Sequence, residues 1–366
     1  MQIEDLALTM TPGLGVKGIV HLLEVFGDAR QIFAASHAEL VGEAELREPV
    51  AKELLRKSGF AMAERELRYC ERHTIQPIAS SDQEYPALLR EIPDYPHVLY
   101  VQGNVAALAG HNLAMVGTRN ISSYGQLVCR RLVGELATRI PHLTIVSGLA
   151  FGIDVAAHRA AIEHSTRTVA VLANPLPEIT PSQHTSVARE IIESGGALVS
   201  ELHSQTKMKG VHYLSRNRII AALSSGCIVV ESPAGGGSLV TAQYADNYHR
   251  TVMAVPGRIN DRTSVGTNHL IRTQKARLVT SATDIIEALM WDFGEDPELF
   301  REQPATPDLT RDEAGLLACF RTSDPLSLDE LHDLTGVDAG ELTALLIGLE
   351  LAGVVRQLPG NRFMKL

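Results

Sequence analysis

The run Leu113-Ala114-Met115-Val116-Gly117-Thr118-Arg119-Asn120-Ile121-Ser122-Ser123-Tyr124-Gly125 decides how this chain is read. Its four apolar residues are too few for a helix and stop at a glycine. A small polar stretch carrying one cation follows, and helical spacing resumes over 126–137. That order is strand, loop, helix.

The same unit recurs downstream. Short apolar strands are expected at 113–116, 144–146, 168–172, 197–199, 227–230, 251–255 and 277–279. Helical stretches fill the gaps at 126–137, 155–164, 186–194, 216–224 and 239–249. Strands alternating with helices of this length require right-handed crossovers, and so a doubly wound, mostly parallel sheet. Residues 111–290 therefore read as one Rossmann-like α/β domain.

Outside it the pattern changes twice. Residues 1–70 show helical spacing, as in Ile19, Leu22, Leu23 and Phe26, and form a small all-helical domain, joined by a connecting segment at 71–110. Within it, Gly13-Leu14-Gly15-Val16-Lys17-Gly18 matches GxGxxG, but no strand precedes it, so a dinucleotide site is rejected. A helix-hairpin-helix-like turn facing a phosphate and a plain interhelical turn both remain open. The acidic, Pro-punctuated run 291–308 reads as a linker. Residues 309–366 then give three helical segments followed by Val354-Val355-Arg356, a Pro359-Gly360-Asn361 turn and Arg362-Phe363-Met364, a winged-helix-like domain. Its would-be recognition helix, 339–351, carries Glu341 and Glu350 and no Lys or Arg, which points to a protein-contact or spacer role.

Composition bounds the rest. A chain of 366 residues is expected to form two or three domains. Its 45% hydrophobic and 21% charged residues are those of a globular protein, and no apolar run approaches the ~18 residues of a membrane span. Met1-Gln2-Ile3-Glu4-Asp5 is acidic and lacks a signal-peptide n-region, so the cytoplasm is the expected location. Cys70, Cys129, Cys227 and Cys319 match no metal spacing and read as reduced thiols, mostly buried. The net charge of −10 alone argues against a polyanion partner. Its distribution points the other way: residues 111–222 hold 11 Lys/Arg against 7 Asp/Glu, whereas 305–366 hold 5 against 10.

In an open parallel sheet ligands bind beyond the carboxyl ends of the strands. After the first strand, Gly117 admits a ligand to the backbone and Arg119 can fork onto phosphate. After the second comes Ser147-Gly148-Leu149-Ala150-Phe151-Gly152-Ile153-Asp154, whose glycines leave N–H groups for an anion. Asp154 reads first as a helix cap, and His158, one turn on, as packing rather than a general base. Lys207, Lys209, Arg216 and Arg218 surround Tyr213, the combination of cations and an aromatic that suits sequence-tolerant single-strand binding. One of the two arginines can instead pair with Asp154 or Glu231. The loop Pro233-Ala234-Gly235-Gly236-Gly237-Ser238 opens a helix and can cradle phosphate. There is no GxxxxGK[ST], no HExxH, and no catalytic, cofactor or metal constellation is expected.

Six ordered motifs carry a resemblance. Val116-Gly117-Thr118-Arg119 with Tyr124-Gly125, Ser147-Gly148-Leu149-Ala150 with Gly152-Ile153-Asp154 and Ala157-His158, and Arg216-Asn217-Arg218-Ile219-Ile220 are similar to the signature of the DNA-processing family DprA, also called Smf. Gly237-Ser238-Leu239-Val240-Thr241-Ala242, Ala254-Val255-Pro256-Gly257 and Gly266-Thr267-Asn268-His269-Leu270-Ile271 follow in the family's order. The resemblance implies a helical SAM-like domain before the Rossmann-like one and a winged helix after it. It also implies a homodimer that binds single-stranded DNA, loads the recombinase RecA onto it during natural transformation, and displaces single-strand-binding protein, with no catalytic residue.

Carried over by motif, Arg119 contacts phosphate, Gly148 and Gly152 line the pocket, Arg216, Asn217 and Arg218 complete it, and Tyr213 stacks a base. Leu214 departs from the pattern where a proline is common, and Gln274-Lys275 where a glycine is usual, near the surface implied for dimerisation. The competing readings are a phosphoribohydrolase-like nucleotide-processing enzyme, with Asp154 or Glu231 as its carboxylate, and a small-ligand or protein-interaction module.

Overall fold

Alternation along the strands builds the core. In the central strand Leu113 and Met115 point to one face of the sheet, packing with Cys129, Leu132, Ile153 and Ile285, while Ala114 and Val116 point to the other, with Ile219, Ile220 and Ala242. Both faces are covered, which is why the strand reads as a continuous apolar run rather than an alternating one. The computed structural model describes residues 1–291, 310–320, 325–351, 354–358 and 361–365, and they fall into two units, one up to Gly294 and one from Glu295.

The first unit holds a nine-stranded sheet. Its strands are β1 (Gln76–Ala79), β2 (Val98–Gly103), β3 (His111–Val116), β4 (Leu143–Ser147), β5 (Arg167–Val171), β6 (Ala197–Ser200), β7 (Gly226–Val229), β8 (Thr251–Ala254) and β9 (Arg277–Leu278). They lie in the order β1-β2-β6-β5-β4-β3-β7-β8-β9. From β6 to β9 every pairing is parallel, as the βαβ pattern requires, whereas β1 and β2 join antiparallel at the β6 edge. The chain winds outward from β3 to β6, returns to the other side of β3 for β7, and continues to β9. The switch point of this doubly wound sheet therefore lies between β3 and β7.

Residues 71–110, expected only to connect, thus contribute two strands of the sheet. Residues before them form six helices, from Ile3–Thr9 to Phe60–Arg72. They dock through Leu6, Ala7, Met10, Ala63 and Cys70 onto Val98, Tyr100, Leu172 and Leu198 of the sheet. A buried hydrogen-bond chain pins this junction, with His97 Nε2 3.1 Å from Asp5 Oδ1 and His97 Nδ1 2.8 Å from Ser80 Oγ.

The second unit is a winged helix. Helices Arg311–Leu317, Leu328–Thr335 and Ala339–Leu351 pack around Leu331, Leu342, Leu346 and Leu349, and β10 (Leu326–Ser327) pairs with the β11 (Val355–Leu358) and β12 (Arg362–Lys365) hairpin. The acidic linker expected at 291–308 lies outside the described residues beyond Trp291, as do Pro359 and Gly360 of the expected turn. Among the described residues no helix is long and apolar enough to cross a membrane.

Candidate nucleic-acid interface

The carboxyl edge of the sheet opens at the switch point into a cleft of about 320 Å³. Three loops and one helix wall it: the loop after β3 with Gly117, Thr118 and Arg119, the loop after β4 with Ala150, the glycine loop after β7, and the Val211–Ala222 helix with Tyr213, Leu214, Arg216 and Asn217. Gly236, Gly237 and Ser238 sit at the start of the Gly237–Asn247 helix. The first N–H groups of that helix, from Gly237 and Ser238, have no intrahelical acceptor and are available to an anion.

Arg119 is exposed and its guanidinium lies 5.8 Å from the ring centroid of Tyr213. No carboxylate pairs with it among the described residues. The cation and the aromatic face thus come from different elements and meet across the cleft mouth, where a ligand can reach both.

Arg216 lines the same cleft from beneath, only 6% exposed. Its Nη1 donates to the Gly148 carbonyl at 2.7 Å and to the Val171 carbonyl, and its Nε donates to Asn217 Oδ1 at 3.2 Å. Asp154 lies beside it, 7% exposed, and lines the cleft as well. Burial pushes that carboxyl above its usual range, opposed by the Arg216 charge, the Ala150 and Gly148 backbone and the Ser147 hydroxyl. Asp154 sits in the first turn of the Ile153–Glu163 helix, where a carboxylate complements the helix dipole, and it accepts from the Gly148 and Ala150 backbone N–H groups.

Eight of the DNA-contact residues expected from the sequence line this cleft: Gly117, Arg119, Tyr213, Arg216, Asn217, Gly236, Gly237 and Ser238. The others fall elsewhere. Ser147 is fully buried, with its hydroxyl 2.6 Å from the Met115 carbonyl, and does not line the cleft. Gly148 and Gly152 lie outside the cleft lining, and each is required by packing. A Cβ on Gly148 would overlap the Arg216 guanidinium, and one on Gly152, whose φ is +80°, would overlap the Thr118 carbonyl. Arg218 points away from the cleft and is buried in an ion pair with Glu201, with Asp94 3.7 Å away. Lys207 and Lys209 are exposed on the segment leading to the Val211–Ala222 helix, outside the cleft wall.

The remaining candidates have structural tasks. Glu231 accepts from the Ser122 backbone N–H at 3.0 Å and the Ser122 hydroxyl at 2.5 Å, fixing the loop that bears Arg119. His158 is buried, and its Nδ1 lies 2.6 Å from the Thr168 hydroxyl, which itself donates to the Ile145 carbonyl. His158 therefore carries its proton on Nδ1, and burial, with the Arg216 charge, pushes its pKa down to about 3. Sequence reading missed Phe151, 45% exposed and edge-on to His184 at 4.8 Å, although an aromatic in a strand-end glycine loop was there to be seen.

A Rossmann-type sheet with a glycine-floored, cationic cleft at its switch point, joined in sequence to a winged helix, defines a class of nucleic-acid or phosphate-binding architecture. Residues 76–290 match the family model for DNA recombination-mediator protein A, and 300–361 that for the DprA winged helix domain. The chain is 38% identical over 288 residues to Protein Smf of Escherichia coli, covering 78% of this chain and 76% of that one. It is 39% identical over 216 residues to DNA processing protein DprA of Bacillus subtilis, covering 59% and 71%. The chain belongs to the DprA/Smf family of DNA recombination mediators.

Solved structures agree. DNA processing protein A of Streptococcus pneumoniae superposes with a TM-score of 0.68 at 31% identity, covering 78% of this chain and 98% of that one. A structure of the Helicobacter pylori protein, described for its single-stranded DNA binding mode, gives a TM-score of 0.53 at 27% identity, with 60% and 97% covered.

Proposed function

We propose that this chain binds single-stranded DNA in the carboxyl-edge cleft and delivers it to the recombinase RecA. The observation that carries the first half is the exposed Arg119 guanidinium over the Tyr213 ring, above the free N–H groups of Gly237 and Ser238. A phosphate takes the guanidinium and the helix N-terminus, while a base stacks on the aromatic. Duplex DNA offers its phosphates but hides its base faces, so the cleft favours the single strand. The Helicobacter pylori relative, whose structure is described for that binding mode, supports the same assignment.

Within the cleft the residues divide by role. Arg119, Tyr213, Asn217, Gly236, Gly237 and Ser238 meet the strand, while Lys207 and Lys209 add charge on its approach. Arg216 holds the β4 and β5 ends in place, and Arg218 is a framework cation. Against bond cleavage, Glu231 is spent on Ser122, and the Asp154 carboxylate, though it lines the cleft, is held by the Gly148 and Ala150 backbone N–H groups beside the Arg216 charge.

RecA delivery, displacement of single-strand-binding protein and a homodimeric state belong to the same proposal and are supported by family membership. Gln274 supports retention of the family's backbone there: with φ at +57° it adopts the left-handed conformation that the usual glycine favours. The test is RecA filament formation on DNA coated with single-strand-binding protein, with and without the chain. Acceleration by wild type and none by Arg119→Ala supports the proposal; equal rates with and without the chain refute the delivery step.

A further inference from the structure

The same edge of the molecule carries a second basic groove, of about 560 Å³, between the Phe60–Arg72 helix and Ser204-Gln205 just after β6. Arg65, Arg68 and Arg72 stand at i, i+3 and i+7, so they share one helix face and form a row about 10 Å long. All three are exposed. The guanidinium groups of Arg65 and Arg68 have no ion-pair or hydrogen-bond partner among the described residues, and that of Arg72 donates only Nε, to the Arg68 carbonyl at 3.2 Å.

Two carboxylates lie on the groove. Glu66 is buried and occupied, accepting from the Ser204 N–H at 2.8 Å and its hydroxyl at 2.5 Å, which fixes the groove's far wall. Glu71 is exposed at the rim and leaves the three cations in excess. Tyr69 lies in the groove with its ring 4.3 Å from that of His73. Cations in a row beside an aromatic repeat, on a separate element, the chemistry of the cleft.

Chain continuity links the two. The wall residue Gln205 leads through the exposed Lys207 and Lys209 to Tyr213, eight residues on. That path spans at most about 28 Å.

From the row of free guanidinium groups and this continuity we infer that the groove is an outer station for the same nucleic-acid strand, holding its phosphates on Arg65, Arg68 and Arg72 after they leave the cleft. The inference rests on the cleft binding single-stranded DNA, and it makes the N-terminal helices part of the binding surface. An acidic peptide would satisfy the arginines and the lysines but offers no base to stack on Tyr213 at the path's end.

The test uses the full chain and labelled single-stranded DNA of about 6 and about 25 nucleotides across a salt series. The triple variant Arg65→Gln/Arg68→Gln/Arg72→Gln should bind the short strand as wild type does. It should bind the long strand roughly tenfold more weakly near 0.15 M salt, with the log–log salt slope smaller by about 2, since each single-strand phosphate contact contributes about 0.7. All three side chains are exposed, so an unchanged melting temperature is expected and separates lost contact from lost fold. Arg119→Ala should weaken both lengths.

An unchanged affinity and slope for the long strand in the triple variant would overturn the outer station. So would a triple variant that keeps DNA binding but loses binding to poly-glutamate, which would give the groove to an acidic protein. If wild type binds neither length, the cleft assignment itself fails and the station falls with it.

Discussion

The guanidinium of Arg119 and the ring of Tyr213 stand 5.8 Å apart, one on the loop after β3 and the other on the first turn of the Val211–Ala222 helix. Neither is buried, so each can exchange this contact for one with a ligand. Alanine at Tyr213 should weaken single-strand binding by about 1–3 kcal/mol, the usual worth of one base stack. Alanine at Arg119 should cost a similar amount and reduce the salt slope. Because binding breaks their mutual contact in wild type only, the double variant should lose more than the sum, by about 0.5–1 kcal/mol, in a double-mutant cycle of binding free energies. Strict additivity would mean that they act on separate parts of the ligand.

Arg216→Ala should behave differently despite lining the same cleft. It leaves the Gly148 and Val171 carbonyls unpartnered and Asp154 buried without its compensating charge. Losing one member of a buried polar pair costs about 3–5 kcal/mol. Calorimetry should therefore show a melting temperature lower by on the order of 10 °C. A variant of wild-type stability with lost DNA binding would instead put Arg216 in direct contact with the strand.

Gly152 does not line the cleft, yet Gly152→Ala should impair it. At φ +80° a Cβ is strained and overlaps the Thr118 carbonyl, and it comes within 2.7 Å of the Arg119 backbone. The expected cost is about 1–3 kcal/mol of stability, with weaker DNA binding through a displaced Arg119. Gly42→Ala makes the control, since a Cβ there meets nothing within 4 Å and the residue lies outside the cleft. Thermal melts and anisotropy on both variants check the pair.

His158 predicts a pH dependence. Its folded pKa is held down to about 3, against an ordinary value of 6.5, because burial excludes the charged ring. The unfolded chain therefore binds a proton that the folded one refuses. Stability is complete above pH 6.5 and falls as the pH drops from there toward 3, by up to about 1.4 kcal/mol per pH unit. His158→Asn, which keeps a donor toward Thr168, should show a shallower decline between pH 6.5 and 5 in denaturant titrations. Parallel curves for the two proteins would remove His158 as the cause.

The parallel strands were legible because each is a short apolar run cut off by glycine or a polar loop. β1 and β2 were not. Gln76-Pro77-Ile78-Ala79 contains a proline and has no periodicity, and only pairing with Val98–Val101 makes it a strand. Proline is tolerated there because β1 is the sheet edge.

The cleft's glycines were easy to find and hard to assign. A glycine that admits a ligand and one that admits a neighbouring loop look alike in sequence, and Gly148 and Gly152 proved to be of the second kind. The arginines carried a usable signal. Arg216 and Arg218 are two apart on a helix, about 200° around it, so they cannot face one cleft. Their partners, the Gly148 and Val171 carbonyls for one and Glu201 with Asp94 for the other, are set by tertiary contacts that spacing does not show. The groove along Arg65, Arg68 and Arg72 was invisible for another reason: Glu64, Glu66 and Glu71 balance its charge in sequence, and only the fold takes Glu66 out of it.

The most direct measurement is equilibrium binding of labelled single-stranded and duplex oligonucleotides of equal length across a salt series, with wild type beside Arg119→Ala. Strand binding by the cleft predicts a clear single-strand preference, a steep loss of affinity with salt, and a weaker affinity and shallower slope in the variant. Equal affinity for both DNA forms, or an Arg119→Ala protein that binds as wild type does, would contradict it.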